Sequence, residues 1–347
     1  MKLTVIVPVY NAGENLRSCL KALSTSTRPP DELIVVDDAS TDGAVQVASR
    51  FGACVLIAEL ESPVGPAKSR NRGAAIAKGE VLVFIDADVA VHQNTLAMME
   101  KIFLENPEVA ALFGSYDDSP PHRDLVSLYK NLQHHFVHQH GNPVASTFWA
   151  GAGAIRRDIF IELGGFDESY SRPSIEDIEL GVRLRRIGYR VCLCPEIQVT
   201  HLKRWTLTSL VRSDILDRAI PWTQLILSTS QLPDDLNVAP KSRVSALIVW
   251  MILLLVILGF WFHLIWVSAV LIFGVFVSLN RTLYSFFLKK GGFWFASGAV
   301  GLHMLYLIYS STIFGSAFIW KILSGAFRRT GRVINLKIPV EKSYDEP

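Results

Sequence analysis

The residues of this sequence best suited to chemistry are Asp86 and Asp88, two carboxylates separated by one residue. They follow residues 81–85, an apolar run rich in β-branched and aromatic side chains that predicts a strand buried on both faces. Because side chains alternate along a strand, both carboxylates point to the same side. At the carboxyl end of a strand in an open α/β sheet, such a pair suits Mg²⁺ or Mn²⁺ held with a phosphorylated ligand. An isolated Asp-x-Asp is more often a solvated turn.

The elements around this pair decide between the two interpretations. Short apolar runs predict three further strands, at residues 3–7, 33–36 and 54–58. Helices predicted between them give an alternating order, which is typical of a mostly parallel sheet with right-handed crossovers and flanking helices. Asp37 and Asp38 end the second of these strands, so we expect them at the same sheet edge as the Asp-x-Asp pair.

Composition excludes some classes of protein. The 347 residues carry a formal net charge of +2, so no strong basic field favours nucleic acid as a partner. The four cysteines form no Cys-x-x-Cys pair, which predicts reduced thiols in a cytosolic domain. The first apolar run is too short for a secretory signal, and we expect no membrane span before the first strand. A histidine-rich helix at residues 134–140 lacks the partners of a typical zinc site.

Most of the apolar surplus lies beyond residue 244. Residues 244–279 contain no formally charged side chain and would form a helix of about 54 Å, longer than a hydrocarbon core of ~30 Å. Either a hairpin near residues 259–263 or one long tilted helix would accommodate them. A further span is predicted at residues 293–320, after a loop with Arg281 and Lys290. We expect about three spans, and the basic residues leave their orientation open.

The predicted organisation has four parts. They are a cytosolic α/β domain at 1–205, an interfacial helical segment at 206–240, transmembrane helices at 241–325 and a basic polar tail at 326–347.

Seven motifs over residues 3–205 resemble those of family 2 glycosyltransferases of the GT-A fold. They are Val5-Ile-Val-Pro-Val-Tyr-Asn11, Glu32-Leu-Ile-Val-Val-Asp-Asp-Ala-Ser-Thr-Asp42, Arg70-Asn-x-Gly73, Asp86-x-Asp88, Gly151-x-Gly153-Ala-Ile-Arg-Arg157, Gly164-Gly-Phe-Asp-Glu168 and Glu176-Asp177. The resemblance implies a nucleotide-diphospho-sugar transferase fold with carboxy-terminal transmembrane helices, and a metal-dependent transfer of a sugar.

The resemblance also implies roles for particular residues. The donor nucleotide is expected against Pro8, Tyr10, Asp37, Asp38, Arg70 and Asp86. Asp88, with Asp86, is expected to hold Mn²⁺ or Mg²⁺, which would neutralise the leaving diphosphate. Asp177, beside Glu176, is expected to be the general base for an acceptor hydroxyl. An acidic helix start without chemistry is the alternative for this last pair.

The segment His201-Leu-Lys-Arg204-Trp205 departs from the resemblance. Processive polysaccharide synthases of the family carry Gln-x-x-Arg-Trp near this place, so the histidine argues against processivity. We expect His201 to reach the metal or the diphosphate, Arg204 to pair with phosphate oxygens, and Trp205 to face the acceptor. An interfacial aromatic and basic cluster is the alternative.

Two more residues are expected on the acceptor side. Trp149 either lines the acceptor site or packs in the core, and Gly151 permits close backbone approach to a ligand.

The expected function is that of an inverting hexosyltransferase in a plasma or bacterial inner membrane, with its catalytic domain in the cytosol. It would move a sugar from a uridine or guanosine diphosphate donor to a lipid or lipid-linked acceptor. A polyprenyl phosphate acceptor is the alternative within this class, and a non-catalytic membrane scaffold is a remote one. A dinucleotide oxidoreductase is disfavoured because Pro8-Val-Tyr-Asn11 replaces the glycine-rich turn that such enzymes need.

Overall fold

The computed structural model describes residues 1–57, 62–229 and 240–323. The predicted tail at 326–347 and part of the predicted segment at 206–240 lie outside the described residues. The strands are β1 Leu3–Val9, β2 Glu32–Asp37, β3 Cys54–Ile57, β4 Val81–Ile85, β5 Val89–Val91, β6 Val109–Tyr116, β7 Ala152–Arg156 and β8 Arg190–His201.

The helices of the amino-terminal domain lie between these strands. They are α1 Gly13–Ser24, α2 Ala44–Arg50, α3 Pro66–Ile76, α4 Thr95–Glu105, α5 Leu125–Gln139, α6 Arg157–Glu162 and α7 Glu176–Arg186.

The eight strands form one mixed sheet in the order β3-β2-β1-β4-β7-β6-β8-β5. The first four strands are parallel neighbours, as the alternating sequence predicts. Beyond β4 the sheet is less regular, because β7 runs antiparallel between β4 and β6 and β5 runs antiparallel to β8. The predicted α/β fold is confirmed, and its sheet is mixed in the second half.

Alternating side chains of β1 build two cores, one on each face of the sheet. Val5 and Val7 pack with Leu20 of α1 on one face. Ile6 packs on the other face under α3, so closely that a Cβ on Gly73 would lie 2.7 Å from the Ile6 side chain. This close approach fixes α3 against the sheet, with its amino-terminal end at the edge where the strands end.

The carboxy-terminal part is helical throughout its described residues. It comprises α8 Leu207–Arg212, a π-helix Ser213–Ala219, α9 Ile220–Thr229, α10 Pro240–Leu258, α11 Ile265–Leu279 and α12 Arg281–Leu323. Helix α12 is kinked at Gly292, where φ is 77°. The stretch that carries Arg281 and Lys290, expected as a loop, is therefore the first segment of α12.

Helices α10 and α11 form the hairpin that the apolar run allows, with its turn after Leu258. By length and composition, α10 and α12 could cross a membrane, and α11 is a shorter apolar helix of 15 residues. Of the about three spans expected, two therefore meet the length for spanning within the described residues.

The helices pack against the amino-terminal domain along α5. Tyr129 of α5 lies in one apolar cluster with Phe287 and Phe295 of α12. An ion pair of 2.6 Å joins Lys290 to Asp118, which follows β6. The two parts consequently share a buried interface.

Candidate active site

The strands β1, β2 and β4 end at one edge of the sheet, and their loops form the floor of the site. The Asp38 carboxylate is buried and accepts hydrogen bonds from the backbone N–H groups of Val64 and Gly65, both at 2.8 Å. Gly65 has a φ of +94°, and a Cβ there would lie 2.5 Å from the carbonyl carbon of Ser171. Asp38 thus holds a loop that needs glycine both for its conformation and for space.

Asp37 also holds a loop. Its carboxylate is buried and accepts from the N–H of Ser40, at 3.3 Å to each oxygen. This bond closes a turn directly after β2, a common role of aspartate at strand ends. Asp37 therefore does not line the cavity described below, unlike Asp38.

A buried arginine joins two pairs of carboxylates that are far apart in the sequence. Arg70 of α3 donates to Asp86 and to Glu176, each at 2.7 Å. Its guanidinium carbon lies 5.5 Å from the centre of the Phe166 ring. The bridge fixes the Asp-x-Asp loop relative to the start of α7.

Asp88 is brought to His201 by strand pairing. In the antiparallel pair of β5 and β8, Val89 lies opposite His201, and the His201 Nε2 is 3.7 Å from an Asp88 carboxylate oxygen. Burial acts to raise the pKa of Asp88, but the nearby His201 and the charge of Lys203 outweigh burial and lower this pKa. Asp88 is accordingly held as a carboxylate beside an imidazole.

Asp177 occupies a different electrostatic environment. One of its oxygens accepts from the N–H of Ala150 at 3.0 Å, and the other accepts from the N–H of Ile178 at 2.8 Å. Burial, and then the negative charge of Glu176, raise the pKa of Asp177 to about 7. A carboxylate with this pKa is well suited to be a general base at neutral pH, because the best pKa for such a group lies near the working pH.

Aromatic rings form the wall beside these carboxylates. Tyr116 stacks on His201 with ring centres 4.3 Å apart, and the edge of Tyr116 meets Trp149 at 4.8 Å. The carbonyl of Gly151 accepts from the N–H of Asp86 at 3.2 Å, and a Cβ on this glycine would lie 2.5 Å from the Trp149 ring. Gly151 therefore lets the tryptophan lie flat near the Asp-x-Asp loop.

These groups open into one cavity of about 1080 Å³. Nine residues expected at the site line it, namely Pro8, Tyr10, Asp38, Arg70, Asp86, Asp88, Trp149, Glu176 and Asp177. The same cavity continues between α9, α10 and α12. It is large enough for a sugar nucleotide and part of a second substrate.

Five expected residues are not part of the cavity lining, namely Asp37, Gly151, His201, Arg204 and Trp205, and the last two also lie away from their expected positions. Trp205 is buried against Leu128 and Tyr129 of α5, because a large apolar ring is more stable in the helix interface than in an open cavity. Its backbone N–H donates to the Ser127 hydroxyl. Arg204 is exposed, and its nearest carboxylate is that of Asp124 at 3.8 Å. These positions differ from the expected ones, which placed Trp205 against the acceptor and Arg204 against the donor.

Several lining residues were not expected at the site. Lys130, His134, Lys203 and Arg218 all line the cavity. Two of them had a signal in the sequence, Lys203 in the basic segment after β8 and His134 in the histidine-rich helix. The others come from α5 and the π-helix, whose orientation toward the site depends on packing.

The predicted histidine-rich helix is α5, and its His135 and His138 contact backbone carbonyl groups of the sheet region. The His138 Nδ1 lies 3.0 Å from the Gly114 carbonyl, and the His135 Nδ1 lies 2.7 Å from the Tyr116 carbonyl. Within the described residues, no three histidine, cysteine or acidic side chains are grouped so as to hold a metal.

Comparison with known proteins agrees with this geometry. Residues 4–164 match the sequence family described as glycosyl transferase family 2. Over 107 residues the chain is 35% identical to the uncharacterized glycosyltransferase YibD of Escherichia coli, a segment that covers 30% of this chain and 31% of that protein. The matched segment therefore spans about a third of that relative.

Two further similarities extend beyond this segment. Over 225 residues the chain is 29% identical to the O-antigen chain rhamnosyltransferase RfbN of Salmonella typhimurium, covering 59% of this chain and 68% of that protein. Its fold is similar to that of the mannosyltransferase PcManGT from Pyrobaculum calidifontis, solved in complex with GDP-Man and Mn²⁺, with a TM-score of 0.54 and 19% identity over 90% of this chain and 86% of that one. The sequence motifs, the mixed sheet and these comparisons agree: residues 4–164 match glycosyl transferase family 2, and the fold is that of the GT-A glycosyltransferases.

Proposed function

We propose that this glycosyltransferase moves a sugar, with inversion at the anomeric carbon, from a nucleoside diphosphate donor to a lipid or lipid-linked acceptor at the cytosolic face of a membrane. The observation that carries the proposal is a single cavity. At one end it contains two carboxylates that differ in pKa, and at the other end it lies between apolar helices. Asp88 is held ionised by His201, whereas Asp177 titrates near neutral pH.

The donor nucleotide would lie over the ends of β1 and β2. Tyr10 is half exposed there and offers a flat ring to a base, while Asp38 lines the same floor. Arg70 donates through its two Nη atoms to Glu176 and Asp86, so we propose that it mainly orients these carboxylates. PcManGT, which shares the fold, was solved with GDP-Man.

A divalent metal fits the residues near the Asp-x-Asp loop. Asp88 and His201 supply a carboxylate and an imidazole within 3.7 Å, both ordinary ligands of Mn²⁺, whereas Asp86 is engaged by Arg70. Mg²⁺ and Mn²⁺ are commonly held by one or two protein side chains together with substrate phosphates, so a small protein ligand set is sufficient. When bound, the ion would offset the negative charge of the leaving diphosphate.

Asp177 would take the proton of the acceptor hydroxyl. The hydroxyl oxygen then bonds to the anomeric carbon from the face opposite the diphosphate, and the bond from that carbon to the diphosphate oxygen breaks. The hydrogen bonds from the N–H groups of Ala150 and Ile178 hold the Asp177 carboxylate in place for this proton transfer. Glu176 keeps the Arg70 bridge and raises the pKa of its neighbour.

Apolar surface on α10 and α11 supports membrane association. At the turn between them, Phe260, Trp261 and Leu264 are each exposed by more than two thirds of their surface. Soluble proteins rarely expose a contiguous patch of this kind, and aromatic residues are frequent at membrane interfaces. A membrane position favours an acceptor that is itself anchored in the bilayer.

Nucleotide binding tests the proposal directly. We would titrate the detergent-purified full chain with UDP and with GDP, with and without Mn²⁺, by calorimetry, and repeat this with Asp88→Ala. We expect one nucleotide to bind in a metal-dependent manner and to lose this dependence in the variant. If a folded sample bound neither UDP nor GDP, the result would contradict the proposal and favour a non-catalytic scaffold.

A further inference from the structure

Resting on the proposed function, we infer that Arg218 is the anion-binding residue of the acceptor site, and that the acceptor is a sugar joined to a hydrocarbon chain through a phosphate or diphosphate group. The cavity joins three environments that match the parts of such a molecule, namely the reacting centre, a positively charged zone and an apolar cleft between helices.

The charged zone lies between the two ends of the cavity. Lys130 and Arg172 line it, but each already has a carboxylate partner, Asp214 at 2.6 Å and Asp217 at 3.3 Å. In the part of the chain that the structure describes, no such ion pair holds Arg218. Its side chain is exposed and lines the cavity, and its charge acts on Asp214 without a direct ion pair in the described residues.

Lys203 is a second basic residue of the cavity lining that forms no ion pair with the described residues. It lies at the donor end of the cavity. Its ammonium group lies 4.2 Å from the centre of the Trp205 ring, and its charge acts on Asp88. A donor diphosphate near Asp88 would use this charge. Arg218, on a different element, is then free for the second substrate.

The π-helix Ser213–Ala219 holds Arg218 in position. Asp214, in the first turn of this helix, accepts from Lys130 of α5 and from Tyr309 of α12, both at 2.6 Å. The helix is thereby fastened to the amino-terminal domain on one side and to the apolar helices on the other. A π-helical turn is rare and frequently occurs at functional sites, because it changes which side chains face a cavity.

Beyond Arg218, apolar side chains line the cavity together with Ser242, Arg243, Ser310 and Ser311. Ile226 of α9, Leu247 of α10, and Leu307 and Phe314 of α12 line this end. Leu247 is also 71% exposed on the outer surface of its helix, so the cleft is continuous with the apolar exterior. A hydrocarbon chain fits such a cleft, and an anionic group entering beside it needs a fixed cation, which Arg218 supplies.

The test compares a lipid phosphate with its separate parts. We would measure binding of farnesyl phosphate, farnesol and inorganic diphosphate to the full chain in detergent micelles, using wild type, Arg218→Gln and the matched control Arg212→Gln. Arg212 is an exposed arginine of α8, outside the cavity lining. We expect Arg218→Gln to bind farnesyl phosphate about tenfold more weakly, and the control to bind it normally.

Each other outcome has a defined meaning. Equal affinity of Arg218→Gln and wild type for farnesyl phosphate would overturn the inference. Farnesol binding as tightly as farnesyl phosphate would overturn the role of charge, and inorganic diphosphate competing at equal concentration would overturn the lipid source. UDP or GDP binding, measured on the same samples, keeps this inference separate from the proposed function, since that binding should be unchanged in Arg218→Gln.

Discussion

At the scale of single residues, Asp177 should set the pH dependence of the reaction. Its pKa of about 7 follows from burial and from the charge of Glu176. Below this pH the carboxyl group is protonated and cannot accept a proton, so the rate should rise as the pH increases through about 7. The measurement is kcat from pH 5.5 to 9 at saturating donor, by release of the nucleoside diphosphate.

Substitution of the same residue separates two kinds of acceptor. If a hydroxyl attacks, Asp177→Asn should lower kcat by roughly 10²–10⁴-fold and remove the pH dependence near neutrality. The control is Glu105→Gln, an exposed carboxylate of α4, which should leave kcat unchanged. A mild effect of Asp177→Asn would instead indicate an acceptor that is already anionic at the attacking atom, such as a polyprenyl phosphate.

At the scale of elements, the loop after β3 links the donor site to the fold. Gly65→Ala forces a side chain into a backbone conformation, φ 94° and ψ 161°, that almost only glycine adopts, and places its Cβ 2.5 Å from the Ser171 carbonyl carbon. The loop must shift, and the two N–H groups that Asp38 accepts from would move with it. We expect nucleotide affinity to fall by about tenfold or more, measured by calorimetry.

The matched control for this loop is Gly188→Ala. Gly188 also has a positive φ, +88°, but a Cβ there meets nothing within 4 Å. Gly188→Ala should lose about 1–2 kcal/mol of unfolding free energy from the backbone conformation. Gly65→Ala should lose more, because its Cβ also clashes with the Ser171 backbone. Nucleotide affinity should fall only in Gly65→Ala, and an equal fall in both variants would contradict the role given to the loop.

At the scale of the whole molecule, the hairpin of α10 and α11 should hold the protein in the bilayer. Leu254 and Leu271 lie in these two helices, and their side chains are 55% and 66% exposed. Arginine at both positions would cost roughly 2.5–3.5 kcal/mol per site within a membrane. We expect the wild type to remain in the membrane fraction after an alkaline carbonate wash, and the double variant Leu254→Arg, Leu271→Arg to be extracted.

An exposed leucine outside these helices provides the control. Leu104 of α4 is 59% exposed, and Leu104→Arg should stay in the membrane fraction like the wild type. Extraction of the wild-type protein itself would show that the apolar helices do not span or enter the bilayer.

The sequence by itself determined the α/β class of the amino-terminal domain, its four parallel strands β1–β4 and the edge at which the site lies. Its motifs stand directly at the ends of apolar runs, as with Asp38 after β2 and Asp86 after β4. Local spacing is sufficient for this, because strands of a parallel sheet end on the same side. It also indicated the apolar helices and the hairpin between two of them.

Only the tertiary structure decided which groups act together. Arg70 and Glu176 are 106 residues apart and meet because α3 and α7 pack at the same sheet edge. Trp205, predicted at the acceptor, is instead buried against α5. Arg218 reaches the cavity through a π-helix, a change of helical register that apolar periodicity does not signal. Such contacts depend on how distant segments pack against each other, and the local order of residues along the chain does not specify this packing.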